Sequence, residues 1–139
     1  MQVINPPGWT RPKGYSNGIV ANGRMVFIAG QVGWNEKEVF ETDDFTGQVK
    51  QALNNITAIV KEAGGKPEHI VRMTWFIASR EEYMACQSAL GKAYREVIGR
   101  HYPVMSVVEV SAFIEPGAKV EIEATAVIPN NKLNEQIDI

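Results

Sequence analysis

Two carboxylates near the end of the chain have the spacing of groups that could transfer protons. Glu121 and Glu123 alternate with apolar residues in a segment typical of a β-strand. Because successive side chains of a strand point to opposite faces, both carboxylates lie on one face. A carboxylate in a partly desolvated cleft can accept and return a proton, which is general acid–base catalysis. The sequence alone also allows a solvated role, with Glu121 paired to Lys119 and Glu123 paired to a helix cation or another subunit.

Few other residues show a pattern that indicates chemistry. The single cysteine, Cys86, excludes an internal disulfide, and its place in a helical pattern favours simple packing. His69 and His101 lie far apart, and no Cys/His cluster has the spacing of a zinc site. The motifs of phosphate loops, dinucleotide-binding turns and nucleophile elbows are absent from the sequence.

The length of the chain favours a single folded domain, and its charge does not favour binding to nucleic acid or an anionic membrane. We expect a single domain at 1–139, with an extended lead-in at 1–14 and a polar tail at 130–139. With 14 basic and 16 acidic residues, the net charge of −2 does not favour capture by nucleic acid or an anionic membrane. No apolar run could span a bilayer and no signal peptide is recognisable, so a cytoplasmic location is expected.

The first half of the chain is predicted to form strands followed by a helix. Segments 16–21 and 24–31 are predicted to pair as a hairpin, because Asn22-Gly23 suits the positive φ angles of a tight turn. Apolar residues at three- and four-residue steps then predict a helix that begins after capping residues 42–44 and ends at Gly64-Gly65.

The second half supplies another strand, a helix and two closing strands. The strand covers 69–78, and the capping box Ser79-x-x-Glu82 begins a helix that ends at Gly99. The closing strands cover about 105–114 and 119–128. Each helix has one apolar stripe, so both can pack on one face of a mixed sheet in an α+β fold. The other face is then uncovered, which predicts self-association.

Several motifs, taken in order, resemble one family. They are Gly14-Tyr15-Ser16-Asn17-Gly18, Ile28-Ala29-Gly30-Gln31, Gln48-x-x-Gln51-Ala52-Leu53-Asn54-Asn55-Ile56, Tyr102-Pro103-x-x-Ser106 and Val120-Glu121-Ile122-Glu123-Ala124. Over about residues 12–129 the chain resembles the Rid/YjgF family of reactive intermediate deaminases, also called L-PSP endoribonuclease-like proteins. The resemblance implies a chorismate-mutase-like mixed sheet of about six strands with two helices on one face. It also implies a homotrimeric barrel with small-molecule clefts between subunits.

The same resemblance implies an activity and a set of site residues. Family members hydrolyse reactive enamines and imines, such as 2-aminoacrylate, to a ketoacid and ammonia without a metal or organic cofactor. Glu121 and Tyr15 match the catalytic positions of the cleft, and Gly30 matches the position where the backbone meets the ligand. Substrate contacts are expected at Ala29, Met105 and Val107. Trp34, which follows the turn at 31–33, is either a packing residue or a further substrate contact that roofs the cleft.

The chain departs from the family pattern at the position that holds the substrate carboxylate. Met105 stands where the signature enzyme has arginine, and Ala29, Val107 and Gly91 replace serine, cysteine and asparagine. A bidentate charged contact contributes about 1.5–3 kcal/mol, or up to about a hundredfold in affinity. The cleft is therefore expected to be more apolar. The nearest candidates to replace the arginine are Arg72 and Arg100, although Arg100 also suits a helix end.

Three functions remain open at this point. The first is deamination of an imine or enamine that is bulkier and less polar than 2-aminoacrylate. The second is non-catalytic binding of a small metabolite in the same inter-subunit cleft. The third, a ribonuclease or translation inhibitor, is disfavoured because the sequence lacks a basic, aromatic-lined stripe.

Overall fold

The computed structural model describes residues 1–130, so the predicted polar tail, apart from Asn130, lies outside the described residues. The elements follow the chain in this order: β1 (Gln2–Ile4), β2 (Gly18–Val20), β3 (Arg24–Val32), α1 (Phe45–Glu62), β4 (Ile70–Ile77), α2 (Arg80–Ala85), α3 (Gln87–Val97), β5 (Val104–Glu109) and β6 (Val120–Ile128). A short 3-10 turn at Pro67–His69 precedes β4.

Four of these six strands form a mixed sheet in the order β3-β6-β4-β5. Strand β6 is antiparallel to both of its neighbours, whereas β4 and β5 are parallel. Strands β1 and β2 pair with each other in a separate antiparallel sheet. The predicted α+β class and six strands are confirmed, with the strands divided between two sheets.

The predicted hairpin at Asn22-Gly23 is wrong. Strand β2 pairs with β1, and β3 pairs with β6, so the two segments beside Asn22-Gly23 are not partners. Gly23 instead packs against the end of β6, where a Cβ atom would collide with the Ile128 carbonyl group. An Asn-Gly pair permits both a tight turn and a close backbone approach, and the local sequence does not distinguish them.

The helices begin where the sequence predicts. The Asp44 Oδ2 atom accepts a hydrogen bond of 2.8 Å from the Gly47 N–H group at the start of α1. The Ser79 Oγ atom accepts one of 3.0 Å from Glu82 N–H at the start of α2. The second helical segment is interrupted, because Cys86 leaves helical geometry (φ −122°, ψ 29°) between α2 and α3. The apolar pattern continues through this break and does not reveal it.

The two faces of the main sheet differ as predicted. Buried residues of β4 and β6 pack beneath the helices: Met73, Trp75, Ile77, Val120, Ile122 and Ala124. On the opposite face, which we call the open face, large apolar side chains are uncovered. Phe27 is 75% exposed and Met25 is 59% exposed. The predicted uncovered face is therefore confirmed.

Candidate functional site

A cavity of about 530 Å³ lies on the helix side of the sheet, beside edge strand β5. We call it the α3 cavity. Its floor includes Met105 and Val107, which pair in register with the buried residues Met73 and Trp75 of β4. That register directs Met105 and Val107 to the helix side. Two of the predicted substrate contacts therefore lie in one cavity.

Tyr15, predicted to be catalytic, also lines the α3 cavity. Its neighbour Ser16 holds this part of the chain in place. The Ser16 Oγ atom donates a hydrogen bond of 2.6 Å to the Tyr102 carbonyl group, and Ser16 N–H donates one of 3.0 Å to Pro103. The lead-in segment is thereby fixed against the start of β5, which explains how Tyr15 reaches the same cavity as Met105.

Aromatic side chains form much of the wall of the α3 cavity. Trp75 and Tyr83 meet edge to face at 6.5 Å between ring centroids, and Tyr94 stacks on Tyr102 at 5.7 Å. The Tyr94 hydroxyl group donates to the carbonyl group of His101. Burial, together with the neighbouring Tyr102, raises the pKa of Tyr94 well above its ordinary value. Tyr94 is therefore a neutral structural residue at physiological pH.

One buried donor in this wall has no partner. Trp75 is only 4% exposed, and its Nε1–H group has no hydrogen-bond acceptor among residues 1–130. A buried donor without an acceptor costs about 1–3 kcal/mol. An acceptor atom of a bound molecule could satisfy this group.

The charged groups around the α3 cavity are both cations. Lys13 and Arg95 line it, and no aspartate or glutamate does. The predicted replacements for the missing arginine lie elsewhere. Arg72 pairs in register with Val104 and Thr125 on the open face, and Arg100 is not part of the lining. Sequence reasoning missed Arg95, although its position four residues after Gly91 places it on the same side of the predicted helix.

Glu121 lies outside the α3 cavity, on the open face of the sheet in strand β6. It lies opposite Val32 of β3 and Phe76 of β4. The register of β3 and β6 shifts between Ile28 and Gln31, which marks a β-bulge that contains Gly30. A Cβ atom on Gly30 would lie 2.7 Å from Glu121 Oε2, so only glycine leaves room for the carboxylate.

No cation among residues 1–130 pairs with the Glu121 carboxylate. Among the described residues the one ion pair joins Lys50 and Glu96, so the pairing of Glu121 with Lys119 is not observed. Gln48, which is fully buried, fixes the start of β6 nearby. Its side chain accepts a hydrogen bond from Lys119 N–H at 2.8 Å and donates one to the Gly117 carbonyl group at 2.9 Å. Sequence reasoning missed this role of Gln48.

Glu121 and the α3 cavity are separate within one chain. Strand β4 lies between β6 and β5, so Glu121 and Met105 are separated by two strand spacings, about 10 Å across the sheet. They are also three residues apart along the strands, because Glu121 is level with Val108 of β5, and they lie on opposite faces. Ala29 lies near Glu123 on the open face, and Trp34 packs on Phe40 at 5.7 Å in the loop after β3. The structure therefore groups Tyr15, Met105 and Val107, and separately groups Glu121 with Gly30.

Neither a metal centre nor a membrane-spanning helix is found in the described part of the chain. No group of three His, Cys, Asp or Glu side chains within residues 1–130 could hold a metal ion. None of the helices in that range is long and apolar enough to cross a membrane.

Known proteins share this architecture. The family described as endoribonuclease L-PSP matches residues 10–128. The 2-iminobutanoate/2-iminopropanoate deaminase of Salmonella typhimurium strain LT2 is 35% identical over 105 residues, covering 76% of this chain and 80% of that protein. The Rid family protein YyfB from Yersinia pestis has a TM-score of 0.78 at 30% identity, covering 91% of this chain and 98% of that one. E. coli TdcF with bound serine has a TM-score of 0.64 at 29% identity, covering 92% and 99%.

Proposed function

The chain belongs to the Rid/YjgF family, which is also described as endoribonuclease L-PSP, and we propose that it hydrolyses an imine or enamine metabolite to a carbonyl compound and ammonia. The observation that carries the proposal is the free carboxylate of Glu121, which is held against the bulge glycine Gly30 and has no cationic partner among the described residues. The relative named as a 2-iminobutanoate/2-iminopropanoate deaminase supports the reaction class.

The proposed site forms between two copies of the chain. Glu121 and Gly30 of one subunit meet the α3 cavity of the next, which contributes Tyr15 and Met105. Two observations support this assembly: the open face exposes apolar side chains such as Phe27, and one chain keeps Glu121 away from the cavity. We propose a homotrimer in which the open faces line a central barrel.

The reaction needs one water molecule and one group that moves protons. As water attacks the imine carbon, Glu121 accepts a proton from it, and the π electrons of the C=N bond move to nitrogen. Glu121 then returns this proton to nitrogen, which gives a carbinolamine. It next takes the proton of the hydroxyl group and passes it to the amino group as the C–N bond breaks, so that a carbonyl compound and ammonia are released. An enamine first becomes the imine by gaining a proton on carbon and losing one from nitrogen. The Tyr15 hydroxyl group donates a hydrogen bond to the intermediate.

The proposed substrate is bulkier and less polar than 2-aminoacrylate. Met105, Val107 and Leu90 give the α3 cavity an apolar floor, and its volume of about 530 Å³ exceeds the needs of a three-carbon compound. The TdcF structure contains bound serine, so that protein binds an amino acid. For this chain we propose a ligand that is also derived from an amino acid but has a larger side chain.

The test uses imines generated in situ by an amino acid oxidase from alanine, leucine and phenylalanine. Release of ammonia is followed while semicarbazide traps the remaining imine. The protein should accelerate hydrolysis, most strongly for the larger imines, and Glu121→Gln should lower the rate at least a hundredfold. Glu123→Gln is the matched control, because Glu123 lies two residues further along the same face, and its rate should be unchanged.

A second candidate is non-catalytic binding of a metabolite in the same cleft. It is favoured by Met105, which supplies no charge to the α3 cavity. Binding of an amino-acid-derived ligand without acceleration of any imine hydrolysis would support this function and contradict the deaminase. Cleavage of RNA that Glu121→Gln abolishes would contradict both.

A further inference from the structure

We propose that Arg95 holds the carboxylate of the ligand in the α3 cavity, and that this ligand carries an aromatic side chain. Two cations of this chain line the cavity, Lys13 and Arg95, and no acidic residue of the same chain does. Arg95 also forms no ion pair within residues 1–130. In the proposed assembly the neighbouring subunit adds one carboxylate, Glu121, so two cations still leave one positive charge, and an anionic group is the complementary ligand chemistry.

Gly91 determines where the Arg95 guanidinium group lies. The two residues are about one helical turn apart on α3, so they lie on one surface of the helix. A Cβ atom on Gly91 would lie 3.0 Å from Arg95 Nη1, and 3.9 Å from both Cζ and Nη2. The guanidinium group thus lies over the bare backbone of Gly91, and both residues line the cavity. A larger residue at 91 would push the guanidinium group away.

Arg95 suits this role better than Lys13. A guanidinium group offers a planar pair of N–H donors that matches a carboxylate, whereas an ammonium group is a point charge on a flexible stem. Arg95 also stands on a helix, while Lys13 belongs to the lead-in. Arg95 lies in the last turn of α3, where any cation is stabilised by the helix dipole. The dipole acts on the charge whichever way the side chain points, so it does not explain why the guanidinium group lies over Gly91.

The rest of the cavity fits an aromatic body with an acceptor atom. Tyr83 and Tyr102 offer ring surfaces, and Met105 offers an apolar floor on the side away from α3. The unpartnered Nε1–H group of Trp75 can donate to a ligand oxygen or nitrogen atom. In this arrangement the ligand carboxylate is bound from α3, by Arg95, and not from β5, where the family pattern has an arginine at position 105. The ligand therefore lies with its carboxylate towards Arg95 and its ring towards Met105.

This inference rests on the proposed function only for the reacting imine group, because carboxylate binding is measured without turnover. The probes are 3-phenylpropionate and its neutral counterpart 3-phenylpropionamide, titrated into the full-length assembled protein by calorimetry. Arg95→Met should weaken 3-phenylpropionate about tenfold or more and leave the amide unchanged. Arg100→Met is the matched control, since Arg100 does not line the cavity, and should bind as the original chain does.

Gly91→Ala separates binding from stability. Alanine favours a helix over glycine, so this variant should melt at the same or a higher temperature. Its Cβ atom displaces the Arg95 guanidinium group, and 3-phenylpropionate should bind about threefold or more weakly. Unchanged affinity in Arg95→Met, or equal weakening of acid and amide, would overturn the inference. So would failure of the original protein to bind 3-phenylpropionate.

The outcomes also separate this inference from the proposed function. If binding depends on Arg95 but the protein hydrolyses no imine, the carboxylate site is supported and the deaminase activity is contradicted. If imine hydrolysis depends on Glu121 but is unchanged in Arg95→Met, the deaminase activity is supported and the carboxylate site is contradicted.

Discussion

Substitution of Gly30 by alanine tests whether the position of the Glu121 carboxylate controls catalysis. The added Cβ atom would lie 2.7 Å from Glu121 Oε2, 2.8 Å from Cδ and 2.9 Å from Cγ. Ordinary van der Waals contact begins near 3.4 Å, so the carboxylate has to move by about 0.7 Å. The atoms in the way belong to the end of a flexible side chain, and the backbone of Gly30 has no positive φ. The fold should therefore accept the alanine.

Catalysis should be far less tolerant than the fold. A displacement of about 1 Å in a reacting group can lower a rate about a hundredfold, so we expect kcat to fall about thirty- to hundredfold in Gly30→Ala. The free energy of unfolding should change by less than about 1 kcal/mol, because alanine also restricts the unfolded chain. The assay is ammonia release from the imine that the original protein hydrolyses best, together with urea unfolding.

Gly18→Ala is the matched control. A Cβ atom on Gly18 would meet Ile4 at 3.4–3.9 Å, which is ordinary contact, and Gly18 lies in β2, away from Glu121. Its kcat should be unchanged. If Gly30→Ala keeps kcat within about threefold of the original value while Glu121→Gln is inactive, the carboxylate tolerates displacement and the reasoning from geometry is refuted.

Three further predictions follow from other parts of the molecule. Because the pKa of Tyr94 is raised, the folded state binds the hydroxyl proton of Tyr94 more tightly than the unfolded chain does. The contribution of Tyr94 to the free energy of unfolding is therefore full below about pH 10 and falls above it by about 1.4 kcal/mol per pH unit. Urea unfolding between pH 9 and 11 should show a shallower decline in Tyr94→Phe. Met105→Arg should raise kcat/KM for the small alanine-derived imine at least tenfold, and no rise would contradict the view that an apolar floor selects larger substrates. Phe27→Glu places a charge on the open face, so native mass spectrometry should show a monomer where the original chain gives the proposed trimer; an unchanged assembly would oppose a buried interface there.

Local capping chemistry made the helix ends predictable from sequence. Asp44 and Ser79 accept the hydrogen bonds that their positions require, and Gly64 has the positive φ (90°) of a residue that follows a helix. The two faces of β6 were equally predictable, because strict alternation leaves no other choice for Glu121.

Long-range partners were not predictable in the same way. The pairing of β2 with β1 depends on which edge is free in the folded chain, and Asn22-Gly23 carries no information about that. The role of Arg95 depends on the meeting of α3 with β5, which are separated by the loop before Val104. A guanidinium group was expected near the site, but the position of Arg95 became evident only from the cavity lining.

The separation of Glu121 from the α3 cavity has a consequence for mixtures of variant chains. If each site takes its carboxylate from one subunit and its cavity from the next, two inactive variants can repair each other when they assemble together. In the proposed trimer, random 1:1 mixing of Glu121→Gln with a second variant that is inactive through a change in the α3 cavity would leave about one site in four with both parts unaltered. Activity should then return to about a quarter of the original value after the subunits are unfolded and refolded together. Each variant alone stays at its own low rate, so recovery of function becomes a property of the assembly and not of either chain.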